Sequence, residues 1–328
     1  LNKLGSAFLC RSSLLYVGRR ILTSLGVIIG VVTIVFLALR VTPGDPAENI
    51  LGENATPEDL QALREQQCLD RSLVDQYVGC FLGNIADGSL GYSYEHRERP
   101  VPVIRLIAGR LLPTVELAAA GLLVAFLLAV PIGLVSALKN GSVVDHGAML
   151  LALVGVAIPH FWLGPMLIWV FCVKLGWLPN PGDDLAGLPS LVLPALVLGG
   201  ALAAKLSRMV RSGVLEVLES PYATTARAKG IRESRVVLRH VLRNAMLPVV
   251  TVMGMQFAAL LGGTIVTEKV FARPGLGTLL LDAISKRNYD LVQGTVIVIA
   301  ASYVVVNIVV DIIYQLLDPR IRLAGGEQ

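Results

Sequence analysis

Charge is scarce in this 328-residue chain: Asp, Glu, Lys and Arg together make up 16%, against roughly 25% in a typical soluble domain. Aromatic residues are few at 6%, which argues against a stacking surface for nucleic-acid bases. Four cysteines cannot build a disulfide-dense scaffold. The four histidines, His96, His146, His160 and His240, are scattered without metal-ligand spacing. No Gly-Lys pair occurs, so the chain has no Walker A phosphate loop. It also lacks a nucleophile elbow and a convincing triad. These absences predict a non-enzymatic chain that itself binds no cofactor, with no metal site and no nucleic-acid partner. What the chain has instead is apolar residue: 54% of the sequence, with a mean hydropathy of +0.68.

The apolar residues fall into blocks long enough to cross a bilayer, which takes about 20 helical residues. The blocks are Ile21–Leu39, Leu117–Leu138, Gly147–Val173, Ala186–Ala204, Ala245–Thr267 and Leu291–Leu317. They are continuous runs, whereas the strands of a membrane barrel alternate. The pattern therefore predicts an all-α polytopic membrane protein with six transmembrane helices. The fourth block carries Pro189 and Pro194, tolerable where neighbouring helices satisfy the freed carbonyls. The first block, after Arg19 and Arg20, is longer than a signal-peptide core and lacks a small-residue cleavage site, so it reads as an uncleaved anchor.

Basic residues orient the helices. With residues 1–20 inside, the inner segments sum to a net charge of +10 and the outer ones to −4. Both termini are then expected on the cytoplasmic side. Residues 21–39 are the first span. Residues 40–110 are too long for a passive connector and read as a small extracytoplasmic subdomain. Residues 111–328 read as a five-helix core containing the inner loop 205–244.

Within 40–110, Thr56-Pro57-Glu58-Asp59 is a helix start, with a capping threonine and a proline suited to the first helical position. Cys68 and Cys80 share this segment, on the side where disulfides persist. Cys10 and Cys172 fall in the inner tail and a membrane block, so they are poor partners for either. A Cys68–Cys80 bridge is expected, stabilising by about 3 kcal/mol for a loop of this size, with two free, half-buried thiols as the alternative. Two residues are candidates for the pathway or a gate besides Asn307. Glu116 sits where the second span begins and is either a helix-start acid near the outer surface or a residue lining the pathway. Asp311 is the one acid deep in a block, four residues after Asn307, and either satisfies polar groups between helices or acts as a gate. A carboxylate at that depth costs about 2.5–3.5 kcal/mol, so a partner is expected. Trp162, Trp169 and Trp177 read as interface anchors.

The inner loop carries the most information. Ser220-Pro221 starts a helix, Ala223–Lys229 continues it, and Gly230 fits the left-handed residue that ends it. Ile231–Arg243 reads as a second helix. Such a helix–Gly–helix element could dock a soluble partner. It could also be a basic amphipathic connector on anionic lipid.

Thr225-Ala226-Arg227-Ala228-Lys229-Gly230 and His240-Val241-Leu242-Arg243-Asn244-Ala245-Met246-Leu247-Pro248 resemble the EAA loop of ABC-importer permeases, closest to the DppB/OppB type of the dipeptide/oligopeptide/nickel branch. Arg40 to Pro46, Ile158 to Gly164, Leu175 to Pro179, Glu268 to Gly277, and Asn307, Asp311, Tyr314 and Asp318-Pro319-Arg320 resemble further elements of that branch, in order along nearly the whole chain. The resemblance implies a type I permease fold in a bacterial cytoplasmic (inner) membrane. It implies a DppC-like second permease, two ATPase domains that hold ATP and Mg, and an extracytoplasmic solute-binding protein. It also implies a cargo of dipeptides or oligopeptides, with nickel chelate, haem or another small solute as alternatives and an ion-coupled secondary transporter as the alternative class. The ATPase-coupling loop would comprise Tyr222, Thr224, Thr225, Ala226, Arg227, Ala228, Lys229, Gly230 and Ile231. Thr224 and Thr225 stand where the pattern is usually written Glu and Ala, while Ala226 and Gly230 keep its shape.

Overall fold

The computed structural model describes residues 11–52, 55–94, 100–183 and 187–317. Lys3, Cys10, His96 and the Asp318-Pro319-Arg320 ending lie outside the described residues. The chain divides into two compact units: Leu1–Leu111 with Leu279–Ile308, and Leu112–Thr278 with Val309–Gln328. This differs from the expected division, in which 111–328 forms one core: residues 279–308 group with the N-terminal third.

In the first unit, α1 (Arg11–Val41) is the first long apolar helix. Short helices follow: α2 (Pro46–Leu51), α3 (Pro57–Gln66) and α4, which runs through a π turn over residues 73–86. The expected cap at Thr56 is present, its hydroxyl accepting from Asp59 N with Pro57 in the first turn. Asp45 caps α2 in the same way and pairs with Arg64 of α3. The Cys68 and Cys80 sulfurs are bonded, with Cα atoms 6.6 Å apart. That joins the α3 end to α4. Strands β1 (Tyr92–Ser93) and β2 (Val101–Pro102) pair antiparallel, Tyr92 opposite Pro102. The start of α5 (Val103–Leu138), much of α12 (Leu276–Ser285) and the start of α13 (Tyr289–Leu317) complete this unit. Buried Asn288 donates to Ser93 Oγ at 2.8 Å and accepts from Leu291 N, fastening β1 to the start of α13.

The second unit holds the rest of α5, then α6 (Val143–Ala157), α7 (His160–Lys174), α8 (Leu188–Leu218), α9 (Pro221–Ala228), α10 (Glu233–Gly263) and α11 (Ile265–Val270). Its main core joins Ala125, Ala129, Leu206, Val210, Val214, Val236, Val241 and Val249. This core draws on the spans and on the loop between them.

Five described helices are long and apolar enough to cross a membrane, and the bent pair α6–α7 makes a sixth span if it is counted as one. Three differences from the sequence reading have local causes. The second span begins at Val103, well before Leu117, because Pro113 is accommodated inside the helix. The third block is broken by 96°. Pro159 offers no N–H and holds Ile158 extended at φ −81°, ψ 119°. The inner loop has no separate second helix: the turn starting at Glu233 runs on as α10 to Gly263.

Candidate coupling surface and pathway residues

The candidate coupling segment is built by its caps. Ser220 accepts from Ala223 N, and Pro221 fills the first turn of α9. At the other end Gly230 has φ +72°. Its N–H bonds Arg227 O at 2.9 Å, and Ile231 N bonds Ala226 O at 3.3 Å. This pair of bonds is a Schellman stop, which leaves the chain free to turn straight into α10. Ala223 and Ala226 are buried against Val236, Val241 and Ala245. The remaining face of α9 is exposed: Tyr222, Thr224, Thr225, Arg227, Ala228 and Lys229. Ile231 is half-buried beneath the turn.

Side chains brace the hairpin. Arg227 pairs with Glu233 at 2.8 Å. Tyr222 stacks edge-on with His240, ring centroids 5.7 Å apart, and its hydroxyl bonds His240 O at 3.1 Å. Thr224 and Thr225 hydroxyls bond back to Ser220 O and Pro221 O. They cannot supply the negative charge that a glutamate would.

A second cluster gathers around Asp145 at the start of α6. Asp145, 4% exposed, accepts two bonds from Arg211 of α8, both 2.8 Å. It also accepts from Ser136 of α5 and from Gly141 N. Arg211 reaches Asn140 as well, at 2.8 Å. One carboxylate thus joins the end of α5, the 139–142 turn and α8, seven residues before α8 ends at Leu218. This cluster was not apparent in the sequence. Its only local trace is Ser142, three residues before Asp145, a capping spacing.

A third cluster gathers around Glu268, 1% exposed. Its Oε1 accepts from Thr114 at 2.7 Å and Thr264 at 2.8 Å. Its Oε2 accepts from Thr278 N at 3.0 Å. Thr114 Oγ1 in turn accepts from Leu276 N at 2.8 Å. Gly275 lies so close that a Cβ there would strike the carboxylate. Beside this hub, Arg273 is 5% exposed and 3.6 Å from Glu116. Burial lowers its pKa from the usual arginine value, while Glu116 and Glu268 oppose that shift.

Glu116 therefore sits against Arg273. Asn307 bonds its own helix, at Tyr303 O, 3.0 Å. Asp311, on the same helix, is half-buried. Among the described residues no group of three potential ligands could hold a metal ion.

Two family descriptions match in register: a "Binding-protein-dependent transport system inner membrane component" over residues 129–323, and the N-terminal part of such a component over residues 13–118. The chain belongs to this family. It is a permease component of a transport system, and a multi-pass inner-membrane protein. It is 40% identical over 307 residues to the glutathione transport system permease protein GsiC of Escherichia coli (strain K12), covering 94% of this chain and 98% of that one. The corresponding protein of Salmonella typhi is 41% identical over the same lengths. In fold, the chain is similar to an inward-facing MetNI methionine ABC transporter chain. The TM-score is 0.52 at 18% identity, covering 66% of this chain and 98% of that one. The type I permease fold and the DppB/OppB resemblance stand with these matches.

Proposed function

We propose that the chain is one of two permease subunits of an ATP-driven importer of short peptides, with glutathione the first cargo to test. The observation that carries this reading is the 40% identity to a glutathione permease across 94% of the chain. The DppC-like second permease, the two ATPase domains with their ATP and Mg, and the solute-binding protein are the partners this reading requires. Both termini then lie in the cytoplasm, and the basic inner segments agree with that orientation. The geometry of α9 supports docking: a capped two-turn helix, seated on two alanines, presents one polar face and turns directly into a membrane helix. A push on that face reaches α10 through the short turn 229–232. The chain supplies the path and the lever, and the partner chains supply hydrolysis.

The test is uptake of labelled glutathione by proteoliposomes holding the chain with its second permease and ATPases. Uptake should need internal-face ATP and the binding protein. The purified chain alone should hydrolyse no ATP. Uptake driven by a proton gradient in vesicles lacking the ATPases would overturn the reading. ATP-dependent uptake of nickel chelate or haem, with none of glutathione or other short peptides, would keep the class and overturn the cargo.

A further inference from the structure

The segment 40–110, expected from its sequence to be wholly extracytoplasmic, changes character at its disulfide. Residues 57–71 hold six charged side chains, whereas 73–86 hold one, Asp75. Helix α4 over 73–86 is apolar on two faces. One packs Tyr77 and Phe81 on Val32 and Phe36 of α1, with Ile28 and Ile297 alongside. The other is bare: Val74 is 70% exposed, Val78 58%, Leu82 41% and Ile85 36%.

Two helices measure how deep α4 lies. The Tyr77 hydroxyl is 2.7 Å from Thr33 Oγ1. Thr33 is eight residues inside the end of the span Leu22–Val41, which at the helical rise is about 12 Å. On α13, Ile297 is eight residues inside Tyr289, again about 12 Å. At the shallower end, Gln76 accepts from Arg40 Nε at 2.6 Å. The axis of α4 therefore lies between the levels of Arg40 and Thr33, within about 10 Å of the span's end. An interfacial helix buries its apolar face about 5–10 Å into the boundary between headgroups and acyl chains.

We infer that α4 is an interfacial helix whose Val74–Val78–Leu82–Ile85 face lies against lipid acyl chains of the leaflet on the Val41 side. The bare face sits at the depth of the exposed apolar side chains of α1, such as Ile34 and Leu37. Arg40 places its guanidinium 3.5 Å over the Phe36 ring, a cation held at that boundary by an aromatic face. The bridge from Cys68 to Cys80 then fastens the charged helix α3 to a membrane-seated one. The inference depends on the membrane spans and not on the cargo or the energy source.

The test uses the assembled transporter in lipid nanodiscs, with Cys10 and Cys172 replaced by alanine and the Cys68–Cys80 bridge left intact. Nitroxides are attached singly to Val78→Cys, Leu82→Cys and, for reference, Glu58→Cys. Lipid-dissolved oxygen should relax the labels at 78 and 82 more than a water-soluble nickel chelate does, and the order should reverse at 58. Greater relaxation by the nickel chelate at 78 and 82 would place the face in water and overturn the inference. Labels closed to both reagents would mean a protein partner covers the face, which overturns it equally. Should labelling disturb assembly, Val78→Trp fluorescence should be quenched by acyl-brominated lipid, and an unquenched Trp would count against it.

Discussion

Two regions of the 112–278 unit each depend on a buried carboxylate, and they solve the problem differently. Around Glu268 the donors are neutral: two threonine hydroxyls and one backbone N–H. Around Asp145 the main donor is a guanidinium, supported by a hydroxyl and a backbone N–H. The first arrangement leaves the loop before α12 no alternative register, because every donor is short and fixed to its own backbone. The second uses a long side chain, and the Arg211 side chain is 26% exposed while that of Asp145 is 5%, so water reaches the guanidinium end of the pair. The glycines differ in the same sense. Gly275 is there because the carboxylate leaves no room for a Cβ, whereas a Cβ on Gly230 would meet nothing within 4 Å. The Glu268 region is fixed by crowding, and the coupling region by backbone conformation and charge.

The largest effect should follow Glu268→Ala. It removes the carboxylate that accepts from three buried donors, at roughly 1 kcal/mol for each bond lost, or about 3 kcal/mol in all. Thermal unfolding of the detergent-solubilised transporter should show this loss, and Glu268→Gln should recover most of it by keeping one acceptor oxygen. A Glu268→Ala protein as stable as wild type would mean that water or a neighbouring group replaces the carboxylate, and the contrast between the regions would collapse.

Arg211→Ala should cost less stability, because Asp145 keeps Ser136 and Gly141 N, and the vacated, partly exposed Arg211 position admits water to it. Its larger effect should be on coupling: less cargo moved per ATP hydrolysed, with the complex still assembled. A charge exchange, Asp145→Arg with Arg211→Asp, should restore part of that ratio if the pair itself transmits force from α8. Unchanged stoichiometry in Arg211→Ala would reduce the cluster to a structural tie. A stability loss larger than that of Glu268→Ala would invert the ranking.

Much of the fold was legible because a bilayer forces its signal into the sequence: each span had to appear as a long apolar run. Caps were legible too, at Thr56 and at Ser220 with Gly230, since they depend on residues a few positions apart. The break at Pro159 hid inside an apolar block, where hydropathy cannot tell a straight helix from a bent one. The run-on of the Glu233 turn into α10 hid because Leu247-Pro248 reads as the start of a new helix, whereas Pro248 is accommodated inside α10. The Glu268 and Asp145 clusters were illegible for a different reason: their partners lie 154 and 66 residues away, and no local pattern records such a pairing. Glu116 was noticed for its position in the chain, but its neighbour Arg273 only emerges from the fold.

The smallest effect belongs to Gly230→Ala. With open space around the position, the only penalty is that of placing an L residue at φ +72°, about 1 kcal/mol. Asn tolerates that conformation better than Ala, so Gly230→Asn should fall between wild type and Ala. Gly230→Pro should depart from both, because its φ is locked near −65° and it loses the N–H that bonds Arg227 O. That variant should insert and fold around its spans yet bind the ATPases poorly, since Ala223 and Ala226 would no longer seat α9 on α10. Measuring the Ala, Asn and Pro variants by thermal unfolding and by ATPase pull-down separates the two causes. If Ala proves as damaging as Pro, space and not backbone conformation governs the turn, and Gly230 belongs with Gly275.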